Sequence, residues 1–191
     1  MSSSMLSRLS GLAWMLAGLL YIVQAIAGLV KPHAEVFTST NDYVIEICFV
    51  AALLLTLVAL LGIRTGAGTG IFPAVSFFVF FIGTLLFLIS AAASLASGRD
   101  VLDFVYLPGL GLSVLGAILL GIAIIRAKIL PLWSAIALIL GLPISVALGD
   151  AYGGGIVLGL AWIAVGVALL TRLRARAKAA EPFSGREMPS S

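Results

Sequence analysis

Six stretches of about twenty predominantly apolar residues follow one another along the chain, at 10–30, 43–63, 71–93, 104–125, 130–148 and 153–171, and polar residues gather between them. A helix rises about 1.5 Å per residue and a bilayer's hydrocarbon core is about 30 Å thick, so each stretch predicts a transmembrane helix. The expected fold is an all-α membrane protein, a bundle of six transmembrane helices. Residues 1–9 form a short N-terminus, 10–171 the membrane domain, and 172–191 a basic, partly disordered tail. The loops leave no room for a soluble domain.

The polar positions also predict an orientation. Arg8, Arg64, Arg126, Lys128, Arg172, Arg174, Arg176, Lys178 and Arg186 fall at the N-terminus, the second and fourth loops and the tail, whereas the other loops carry only Lys31 and Arg99. Lys and Arg are retained on the cytoplasmic side during insertion. Nine against two on alternating loops predicts both ends inside, and an odd number of spans would separate Arg8 from the tail cations. A competing reading takes Arg8, the apolar run and Ala25, Ile26, Ala27, Gly28 as a cleaved signal peptide. It is the weaker one, because the apolar run continues to Val30 and is long enough to span.

Small residues predict how the helices meet, since lipid is as apolar as Leu and helices in it associate by close packing. Helix 4 carries Gly109, Ser113, Ala117 and Gly121 at four-residue steps, and helix 6 carries Gly155, Gly159 and Gly166. Packing within one monomer is the plainer expectation, and a seam between copies the alternative. Pro143 falls inside helix 5 and should kink it. A faint repeat, in which Leu60, Leu61, Gly62, Ile63 return as Leu119, Leu120, Gly121, Ile122, admits three hairpins in parallel repeat. The abundance of these residue types explains it as well.

Composition removes any soluble alternative: 62% of residues are hydrophobic and 10% charged, with a mean hydropathy of +1.23, against about 25% charged in a soluble domain. The net charge of +3 is then no sign of nucleic acid. A lone Cys48 permits neither an internal disulfide nor a redox pair.

Candidate chemistry is sparse. No lysine lies within a span, which excludes a retinal Schiff base, and a single His33 excludes two-histidine haem ligation and a multi-histidine zinc site within one chain. Ser113 has no histidine to activate it. Asp100 with Asp103, and His33 with Glu35, are weak metal pairs beside the ordinary reading of solvated loops and helix caps. The cations of 172–178 could hold anionic lipid, but any last helix needs such an anchor.

What remains is polar and near the outer ends: Tyr21, Gln24, Gly28 and Lys31 along one face of helix 1, Asp42 and Glu46 on helix 2, Asp103 and Tyr106 opening helix 4, and Asp150 with Tyr152 between helices 5 and 6. Six of the eight acidic residues lie on this side. Acids favour helix N-termini and tyrosines favour the interface, so a bland origin is the stronger reading. The rival reading is a ligand site built by Tyr21, Gln24, Glu46, Asp103, Tyr106, Asp150 and Tyr152. Glu46 is expected to point inward with Gln24 as its hydrogen-bond partner, because intramembrane ionisable groups face bundle interiors.

These features predict a small noncatalytic multi-pass protein of the bacterial inner membrane that binds a lipid or small apolar ligand, or serves as an accessory subunit of a membrane complex. The alternatives are a small oligomeric transporter or channel with an acidic outer mouth, and an intramembrane enzyme using the outer carboxylates. No cofactor, metal or nucleic acid is expected. Membrane lipids, and a homo-oligomer or larger complex, are the expected partners.

Overall fold

A computed structural model describes residues 3–31, 36–64, 70–101, 103–149 and 152–180. They form six helices: α1 (Ser3–Val30), α2 (Thr40–Arg64), α3 (Ile71–Ser97), α4 (Asp103–Ala127), α5 (Leu132–Leu148) and α6 (Gly154–Ala180). Among the described residues there is no strand, only an isolated bridge between Val36 and Arg99. The chain is an all-α membrane bundle. Its outer surface shows why: on α1 alone, Leu12, Leu16, Leu19, Val23 and Ile26 are each about half exposed, a stripe of large apolar side chains that water would not tolerate.

Five helices are long and apolar enough to cross a membrane, and α5, with 17 residues, is apolar but shorter. At 1.5 Å per residue it measures about 26 Å, the low end of what spans a bilayer. Its limits are set locally. The turn before it contains Lys128 at φ 51 and Pro131 as N-cap, and Gly149 stops it at φ 64. Helix α5 runs on past Pro143. Other helices outrun the apolar stretches: α1 begins at Ser3, and α6 continues to Ala180 through much of the basic tail, because Arg, Lys and Ala favour helix once the chain has left the hydrocarbon. Residues 181–191, the part of the tail expected to be disordered, lie outside the described residues.

Each helix packs on its neighbours in sequence, and α6 returns to α1, so the bundle is a closed ring. The closing seam is made of glycine. A Cβ on Gly18 would land on the carbonyl oxygen of Gly159, and one on Gly159 on that of Gly18, while one on Gly166 would stand 2.7 Å from the carbonyl of Gly11. Two antiparallel backbones thus touch over two turns. The small stripe of α4 is also internal: Gly109 lies on Phe87, Ser113 on Gly83, Gly121 on Ile139 and Ala135, and Ala117 is fully buried.

The two ends of the ring differ in charge and filling. At the basic end the guanidinium of Arg64 lies over Phe77 and Phe78, and that of Arg126 over Phe72, at 5.5–6.0 Å. Above them Trp14, Leu60, Leu120, Ile124, Leu138 and Val165, each at most 1% exposed, fill the ring. The acidic end, near Glu46 and Asp100, is not filled.

Candidate functional site

Two hydrogen bonds fix how α1 lies along α2. Ser10 Oγ donates to the carbonyl of Ala59 at 2.6 Å, and Asn41 Nδ2 donates to that of Ala27 at 3.3 Å. In an antiparallel pair this register sets Tyr21 opposite Phe49, whose rings meet edge to face at 6.2 Å, and Gln24 opposite Glu46. The aromatic contact continues to Phe87 of α3 at 5.9 Å and Tyr106 of α4 at 4.8 Å. Four helices therefore carry one aromatic belt.

This belt walls a cavity of about 790 Å³ to which all six helices contribute. Glu46 stands in its upper wall only 7% exposed. From Glu46 down to Thr56, the deepest lining residue of α2, is about 15 Å at 1.5 Å per residue. There the cavity ends. Trp162 of α6 donates its indole N–H to Thr56 Oγ1 at 3.2 Å, Thr56 donates to the carbonyl of Ala52 at 2.8 Å, and the Tyr21 hydroxyl is hydrogen-bonded to Thr56 as well. Phe80 meets the Trp162 ring edge to face at 6.2 Å, and the filled half of the ring lies beneath.

The mouth is built by paired loops. The N–H of Phe37 donates to the carbonyl of Gly98 at 2.8 Å, and Gly98 takes the left-handed φ of 66 that the turn requires. Ser90 donates to the carbonyl of Val101 at 3.3 Å, and Val101 N–H donates to Ser94 at 3.2 Å. These bonds hold residues 100–101 at the rim, where Asp100 joins the lining close enough for its charge to act on Glu46.

Of the residues the sequence singled out, Tyr21, Gln24, Glu46 and Tyr106 line this one cavity. Tyr152 does not; it is 80% exposed. Asp150 lies outside the described residues, as do the side chain of Asp103 and residues His33 and Glu35. Glu46 points inward as expected and lines the cavity together with Gln24, the partner expected for it; Gln24 Oε1 is buried without a hydrogen-bond partner, so that oxygen takes no bond from Glu46. Asp42, one turn away, plays a different part. Its Oδ2 accepts from Thr38 N, Ser39 N and Ser39 Oγ at 2.8–3.0 Å, fastening the turn that starts α2.

Sequence reasoning missed the inner lining: Thr56, Thr84, Ser90, Ser94, Trp162, and Asp100 as a wall residue. A stripe at helical spacing on α3, Ser90 with Ser94, could have been read. A hydroxyl in an apolar helix, however, often bonds only its own backbone, as Thr84 does to the carbonyl of Phe80 at 2.9 Å. Among the described residues no group of three His, Cys, Asp or Glu side chains could hold a metal. Searches of protein-family models, of curated proteins and of solved structures find no match to this chain.

Proposed function

We propose that this is a noncatalytic multi-pass protein of the bacterial inner membrane, with both ends in the cytoplasm, that holds a lipid or small apolar ligand in the cavity at its outer end. One observation carries the reading: a largely apolar space of about 790 Å³, walled by all six helices and closed at mid-depth by Trp162 and Phe80. Ligand sites are concave, mostly apolar and dotted with a few polar groups, and this volume is within their usual range. A channel would need a polar path through the bundle, and the filled basic half stands against it. The glycine seams that could have joined copies are occupied inside the monomer.

Native mass spectrometry from a gentle uncharged detergent, with identification of whatever is released, tests the proposal. The wild-type chain should retain small apolar molecules, and Leu158→Trp, which fills the cavity from α6, should lose them while remaining folded. Equal retention by both proteins would end the reading.

A further inference from the structure

The cavity's chemistry narrows its ligand, on the premise that it is a ligand site. Its described lining contains two carboxylates, Glu46 and Asp100, and no lysine, arginine or histidine. Both line one space, and carboxylates held in apolar surroundings favour a positive ligand. One further wall atom points the same way. Gln24 Oε1, an acceptor level with Glu46, is buried without a hydrogen-bond partner. Beside these groups run the rings of Tyr21, Phe49, Phe87 and Tyr106, and aromatic faces attract cations. The space is far larger than an inorganic ion, and the rings of Phe80 and Trp162 close its floor.

We infer that the ligand is a cationic amphiphile, an apolar chain or ring system headed by a protonated amine, with its ammonium group between Glu46, Asp100 and Gln24 and its apolar body directed toward Trp162. The amine N–H groups donate to the two carboxylates and to Gln24 Oε1. The body occupies the aromatic belt. An acid would meet like charge, and an alcohol would bring none.

Dodecylamine, dodecanol and dodecanoate share one chain and differ in head charge, so their binding to the full chain in an uncharged polyoxyethylene detergent, measured by native mass spectrometry, is a direct test. Dodecylamine should bind one per chain, about tenfold tighter than either analogue, as expected for charge-assisted hydrogen bonds in a partly dry site. Glu46→Gln should remove that preference and leave dodecanol binding unchanged. Asp100→Asn, at the exposed rim, should reduce it. Equal binding of all three probes, an amine preference untouched by both variants, or displacement of the amine by equimolar sodium would overturn the inference. If the probes bind equally but Leu158→Trp expels them, the cavity reading survives without the charge preference; if Leu158→Trp changes none of them, the cavity reading itself falls.

Discussion

The hydroxyl of Thr56 is a junction. It donates once, to the carbonyl of Ala52, and also serves the indole of Trp162 and the hydroxyl of Tyr21, so it joins α1, α2 and α6 at the cavity floor. Val has the same shape without the oxygen. Thr56→Val would strand two buried donors and should destabilise the protein by about 1–2 kcal/mol, while Thr56→Ser keeps the oxygen and should cost little. Unfolding in mixed micelles of dodecyl sulfate and dodecyl maltoside measures both, and equal stability of the two variants would show that the junction carries no weight. Asp42 and Glu46 illustrate what a sequence conveys at this scale. Both are acids near the start of one helix and share a face, but Asp42 is within reach of the Thr38 and Ser39 donors and fastens the turn, whereas Glu46, one turn further in, faces the cavity.

At the scale of the helix, the apolar stretches and the alternating cations were enough to find all six elements, since span length and insertion chemistry are local properties. Helix–helix pairing is not local. The seven-residue spacing of Gly11 and Gly18 matches that of Gly159 and Gly166, but the two pairs stand far apart in a chain with 21 glycines, and nothing in their spacing says that they meet. The seam predicts a sharp contrast between glycines. Gly18→Ala, whose Cβ would meet the carbonyl of Gly159, should destabilise the bundle by about 1–3 kcal/mol through overpacking. Gly111→Ala, with nothing within 4 Å, should leave stability unchanged or raise it by up to about 1 kcal/mol through helix propensity. Thermal unfolding in detergent distinguishes them, and equal midpoints for the two variants would refute the close contact of α1 with α6.

For the whole molecule, the bundle was legible in the sequence and the cavity was not, because a cavity is the difference between what six helices enclose and what their side chains fill. The orientation is open to direct measurement. With Cys48 replaced by Ala, a membrane-impermeant maleimide should label Tyr152→Cys in intact cells and Arg126→Cys only after permeabilisation. The reverse pattern would invert the topology.

Ring closure between the first helix and the last also has a consequence in time. The contact face of α1 is complete once residue 30 has been made, but its partner begins only at Gly154. At the usual rate of about 5–20 residues per second, synthesis leaves that face without α6 for on the order of ten seconds. During this interval α1 is held in the bilayer without its final neighbour, and the cavity has neither its sixth wall nor the Trp162 ring that closes its floor. A ribosome that stops short of α6 therefore releases a chain whose α1 glycine face is open.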